Sequence, residues 1–118
     1  GARLRPLRDH GVLVIGSGNI VHNLPIFFRA PDAPQPWRER FDEAVVSAAV
    51  AHDHAALMRY ANLPDAAEAA PDWDHFMPLF VALGAGGRDK AEPFNRGYLP
   101  GISMTSLALG LPAREGTS

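Results

Sequence analysis

The chain has 118 residues, 47% of them apolar and 20% charged, enough for one packed core and too apolar for a disordered segment. A formal net charge of -2, with eleven scattered Lys and Arg and no basic stripe interleaved with aromatics, argues against nucleic acid as a partner. With no cysteine, a disulfide framework and a thiolate metal site are both excluded, so any metal must be held by imidazole, carboxylate or water.

Residues 2 to 10 read as a short helical or turn-like opening, limited by Pro6 and stopped at Gly11. Val12-Leu13-Val14-Ile15 is a short, wholly apolar run rich in β-branched residues, the pattern of a strand buried on both faces. A central parallel or mixed sheet is the expected consequence, and the chain is read as α/β with helices flanking that sheet. Behind the run stands Gly16-Ser17-Gly18-Asn19-Ile20-Val21-His22-Asn23-Leu24. Its glycines let the backbone turn sharply at the end of a strand, at the sheet rim where α/β proteins keep their chemistry.

Pro31, Pro34 and Pro36 make residues 29 to 37 a loop, expected near the mouth of a site. From Trp37 to about Ala51, Phe41, Val45, Ala48 and Ala49 recur at helical intervals and predict an amphipathic helix. A second helix is expected from Asp53 to Tyr60. Asn62-Leu63-Pro64-Asp65 breaks it, and Asp65 is placed to cap a short alanine-rich helix ending near Ala70. Residues 73 to 83 read as a helix with Pro78 early, closed by Gly84-Ala85-Gly86-Gly87, and Gly101 to Leu109 is the second strand candidate. No apolar run approaches the roughly 20 residues of a membrane span, and no charged region precedes an apolar signal core. The expectation is a cytoplasmic protein with no membrane partner.

Among the polar residues, His22 is the strongest candidate for chemistry, because Asn19 and Asn23 flank it on the glycine segment and imidazole titrates near neutral pH. His75 follows Asp74, a carboxylate that helix capping would explain, whereas Phe76, Pro78 and Leu79 around the His would wall it from water. His75 is therefore a metal-ligand candidate. His52 and His54 lie two apart, project in different directions and read as surface residues, as does His10. Ser17 has no His and Asp around it, which removes a serine hydrolase. Gly16-x-Gly18 lacks the third glycine and the later acidic residue of a dinucleotide fingerprint.

The segment from Leu4 to Leu24 resembles the catalytic, LigB-type family of class III extradiol ring-cleavage dioxygenases, and within it the DOPA extradiol type. Pro71-Asp72-Trp73-Asp74-His75-Phe76-Met77-Pro78-Leu79, with the apolar helix and Gly84-Ala85 behind it, is similar to that family's second block, and Gly101 to Gly110 to its closing strand. Two blocks in the right order are more specific than either alone.

The resemblance implies a LigB-like α/β fold and a non-haem Fe(II) enzyme that opens the ring of a catechol, DOPA-like or protocatechuate-like, with O2. Family members carry two further metal-binding His in their N-terminal half. Residues 1 to 118 are thus expected to be the C-terminal part of one such domain, inactive alone, and prone to self-association or to pairing with the absent half. By the same resemblance His75 is a metal ligand, and His22 is an acid and base beside the substrate or a further ligand. Asn19 and Asn23 are donors to His or substrate, and Zn(II) can occupy the same place as Fe(II). Trp73, bulkier than the family pattern suggests, would narrow the pocket. Memo-type relatives, metal-binding or interaction proteins without catalysis, and an inactive remnant are the alternatives.

Overall fold

The computed structural model describes residues 1–112. The chain opens as a 3-10 helix, Ala2–His10, ended by Gly11 at φ 78, the left-handed conformation that glycine adopts without penalty. After an extended stretch come α1 (Leu24–Arg29), α2 (Pro36–Val50), α3 (His54–Met58), a 3-10 turn (Tyr60–Asn62), α4 (Ala66–Ala69) and α5 (Met77–Gly86). Four short strands follow: β1 (Ala91–Phe94), β2 (Tyr98–Leu99), β3 (Ile102–Ser103) and β4 (Ser106–Leu109). No described helix is long and apolar enough to cross a membrane.

The expected helices are present, with shifted limits. Helix α2 starts with Pro36 in its first turn, where the missing N–H costs nothing, and buries Trp37, Phe41, Asp42, Val45, Val46 and Ala49 on one face. A carboxylate on that apolar arc is the exception that matters below. Asp53 caps α3 by accepting from the Ala56 N–H at 3.0 Å. Asp65 stands at the cap position of α4 without capping it through its side chain. Its backbone is left-handed (φ 64), and the carboxylate instead receives Arg40 at 2.7 and 3.0 Å, tying α4 to α2.

Two features depart from expectation. Val12–Ile15 is not a strand: Leu13 is 80% and Ile15 76% exposed, and among the described residues the run makes one backbone hydrogen bond, Val12 N–H to the Leu7 carbonyl. A strand buried on both faces needs neighbours along both edges, and no described strand lies beside this one. Helix α1 has no counterpart among the expected elements. It forms because Asn23 accepts from the Ile26 N–H at 3.2 Å while Pro25 sits in the first turn.

The α/β class holds, and the pairing among described residues is antiparallel. β1 pairs with β4, Ala91 opposite Leu109 through Phe94 opposite Ser106. β2 pairs with β3 across Leu99-Pro100-Gly101-Ile102, with Gly101 at φ 68 in the turn position that demands positive φ. The expected strand from Gly101 to Leu109 is therefore two strands broken at Met104–Thr105. The core lies between α2 and the turn leading into α5. Phe41, Val45 and Val21 are wholly buried, and Phe76 packs with Phe41, Tyr60 and Phe80 at ring-centre distances of 5.8, 4.8 and 5.2 Å.

Candidate functional site

The segment Asn19–Asn23 is held on two sides by backbone hydrogen bonds. The His22 N–H donates to the Ala69 carbonyl at 2.9 Å, and the Asn19 N–H to the His75 carbonyl at 2.8 Å. Along the other side run Gly101–Ser103: Asn23 N–H to Gly101 O at 2.8 Å, Ser103 N–H to Val21 O at 3.1 Å, and an antiparallel bridge between His22 and Ile102. His22 is thus fixed at its backbone by two elements distant from it in sequence, at Ala69 and Ile102.

Gly16 and Gly18 serve this arrangement differently from the expected sharp turn, since neither has positive φ. A Cβ at Gly16 would meet the Pro78 carbonyl oxygen, and one at Gly18 the His75 carbonyl oxygen, both closer than the 3.0 Å that real Cβ atoms keep. The glycines let the extended segment lie backbone to backbone on the start of α5, and that contact delivers His75 to His22.

The two imidazoles stack, ring centres 3.6 Å apart and planes 14° from parallel. The histidines singled out from separate sequence blocks are brought together. Burial, and then the neighbouring His75, push the His22 pKa below its ordinary value, with Asp74 and Asp72 opposing. His22 is therefore held toward the neutral form, the form that accepts a proton or binds a metal. His75 is less enclosed than expected, its side chain 43% exposed, because Phe76 turns into the core while Pro78 packs against the glycine segment. Asp74 does not cap α5. It lies 3.8 Å from His75 Nε2, and the helix begins after Phe76 without a side-chain cap. Trp73 is 64% exposed.

Asn19 and Asn23 use their amides on backbone, not on either imidazole: Asn19 Nδ2 donates to Ser103 O at 3.0 Å and Asn23 Nδ2 to Glu68 O at 2.8 Å. A cavity of about 230 Å³ abuts His75 and is lined by Gly18, Asn19, Ile20, Thr105 and Ser106. His52 corrects the surface reading: left-handed at φ 57 and half-buried, it sets Nε2 2.8 Å from the Asp89 carbonyl. His54 is half-buried too, while His10 is exposed as expected.

No group of three or more His, Asp or Glu able to hold a metal occurs among the described residues. The donor types fit a metal in part, since two imidazoles, one held toward its neutral form, are borderline ligands of the kind non-haem iron and zinc take.

Sequence reasoning missed the polar residues that support this strip. Gln35, buried before α2, accepts from the Gly101 N–H at 2.6 Å, and Asp42, Ser103 and Thr105 form a buried cluster. The readable signal was Asp42 itself, a carboxylate on the same helical arc as Phe41 and Val45.

The chain has relatives among known proteins. Residues 1–106 match the family model described as the catalytic LigB subunit of aromatic ring-opening dioxygenase. The chain belongs to the LigB family. It is 35% identical over 104 residues to 4,5-DOPA dioxygenase extradiol of Beta vulgaris, covering 86% of this chain and 39% of the relative. Against the Escherichia coli K12 protein of the same name it is 32% identical over 113 residues, 92% of this chain and 41% of that one. The crystal structure of an uncharacterized Escherichia coli K12 protein superposes with a TM-score of 0.77 at 31% identity, over 90% of this chain and 46% of its own. This LigB chain thus spans about two-fifths of the length of the curated relatives it matches. Both His22 and His75 lie inside the matched span.

Proposed function

We propose that this LigB chain contributes His22 and His75 to a centre that opens the ring of a catechol, DOPA-like or protocatechuate-like, with O2. What carries the reading is the stacking of the two imidazoles at 3.6 Å from separate sequence blocks. Family membership and the dioxygenase names of the relatives support the reaction class. The other ligands, two in the family pattern, would come from the remainder of a LigB domain. In that arrangement His75 is a ligand, and Fe(II) is the metal for turnover with Zn(II) a competitor. When bound, the metal supplies the place where the diol and dioxygen meet.

His22 performs the proton work. Held neutral, it accepts a proton from a catechol hydroxyl as the diol binds and returns it to the ring-opened product. Its clamped backbone keeps the imidazole in one place through both transfers. The cavity beside His75, with Thr105 and Asn19 in its wall, is the proposed position for the substrate ring.

The test is oxygen uptake with a panel of catechols, after anaerobic Fe(II) loading, by a LigB protein carrying this chain with the rest of its domain. The expected result is a yellow ring-opened product that His22→Ala and His75→Ala both abolish, with His75→Ala also losing iron. Metal binding without oxygen uptake on any catechol would instead establish a non-catalytic, Memo-like role.

A further inference from the structure

Asp42 is wholly buried, yet its carboxylate is the most heavily bonded side chain described. Oδ1 accepts from the Ser103 hydroxyl. Oδ2 accepts from Thr105 Oγ1 at 2.9 Å, Tyr98 Oη at 2.9 Å and Arg96 Nη2 at 3.2 Å. A buried carboxylate with four donors is a satisfied network, and its removal leaves those donors without an acceptor. Three of the donors come from β2, β3 and the strand break at Thr105, so a single side chain of α2 holds the whole hairpin.

The hairpin in turn holds the site. Ser103, itself fully buried, donates its N–H to Val21 and accepts the Asn19 amide on its carbonyl, and Ile102 bridges His22. The Ser103 hydroxyl also accepts from the Thr105 N–H at 3.2 Å, which locks its orientation toward Asp42. Thr105, the other hydroxyl on the carboxylate, stands in the wall of the cavity beside His75. The route from Asp42 to His22 is one side-chain contact and one layer of backbone hydrogen bonds.

We infer that Asp42 is a positioning residue for the histidine pair: through Ser103 and Thr105 it sets the distance of the His22 ring from His75 and shapes the cavity wall. The inference rests on the reading of that pair as a metal and substrate centre. The outer partners of metal-binding groups commonly change metal affinity about 10–100-fold when removed.

The experiment compares Asp42→Asn with Val45→Ala, a cavity-forming change on the buried face of the same helix. Two readouts on a LigB protein carrying this chain with the rest of its domain are required: inter-ring nuclear Overhauser contacts between His22 and His75 without metal, and the affinity for Zn(II). Asp42→Asn should lose the inter-ring contacts and weaken Zn(II) by about 10–100-fold, while Val45→Ala lowers stability and leaves both unchanged. Intact inter-ring contacts in Asp42→Asn, or their equal loss in Val45→Ala, would overturn the inference. If Asp42→Asn does not fold, Ser103→Ala cuts the same link from its other end and is read identically. A wild-type domain that binds no Zn(II) while its inter-ring contacts still depend on Asp42 would sink the metal-centre reading and leave the positioning role standing.

Discussion

Gly18→Ala separates close approach from turn formation as the reason for glycine in the motif. The added methyl would point at the His75 carbonyl oxygen, inside the closest distance real Cβ atoms keep, with Pro78 Cγ a further 3.2 Å contact. The obstacle is backbone, so relief requires the extended segment and the start of α5 to move apart by several tenths of an ångström. That separation forfeits the 2.8 Å hydrogen bond from Asn19 N–H to His75 O. Overpacking of this kind costs about 1–3 kcal/mol and the lost bond about 1 kcal/mol. Gly97 is the control, since a methyl there would meet no described atom within 4 Å and its φ is not positive. Urea unfolding should show Gly18→Ala destabilised by about 2–4 kcal/mol and Gly97→Ala within about 0.5 kcal/mol of wild type. Equal midpoints for the two variants would refute the close-approach argument.

Three further outcomes follow from the same geometry. Phe76→Ala removes the ring on which Phe41, Tyr60 and Phe80 converge, and should cost about 3–5 kcal/mol by urea unfolding; a loss under about 1 kcal/mol would show that the cluster is not the core. The pKa of His22 is lowered on folding, so the unfolded chain takes up that proton first. The contribution of His22 to the stability of the metal-free chain should be fully present above the ordinary value of 6.5 and be lost as pH falls through and below that value. His22→Gln should flatten that slope, and an unchanged slope would assign it to other groups. Exposed Leu13 and Ile15, on a backbone that pairs with no strand among the described residues, should make the chain associate, and Leu13→Lys with Ile15→Lys should reduce this in light scattering. A monodisperse wild-type monomer would contradict that expectation.

How much was legible depended on whether the signal was local. Helix α2 was readable because Phe41, Val45 and Ala49 repeat at its own period, although Pro36, read as part of the loop, is its first residue. The nearness of His22 and His75 was not in any periodicity; only the likeness of their two blocks to one family joined them. Local rules failed where a distant partner intervened. Asp65 has the right residue type for a cap, but Arg40 claims its carboxylate. Val12–Ile15 has the composition of a buried strand, but strand formation depends on a neighbour that no described residue supplies. Asn19 and Asn23 read as donors to His or substrate, and their amides hold the Ser103 and Glu68 carbonyls. The Asp42 cluster draws its donors from the far end of the chain, and no spacing within α2 could announce them.

The central claim is that His22 and His75 act as one centre, and imidazole nitrogen NMR during Zn(II) titration of a LigB protein carrying this chain with the rest of its domain tests it most directly. The account predicts that the His22 and His75 resonances shift together with one equivalent of metal, and that His75→Ala abolishes the shift of His22 while His22→Ala leaves His75 shifting. Resonances of His52 and His54, whose ring centres lie 6.3 Å apart, should not follow. Metal uptake that moves His52 and His54 while His22 and His75 stay unchanged would contradict the account.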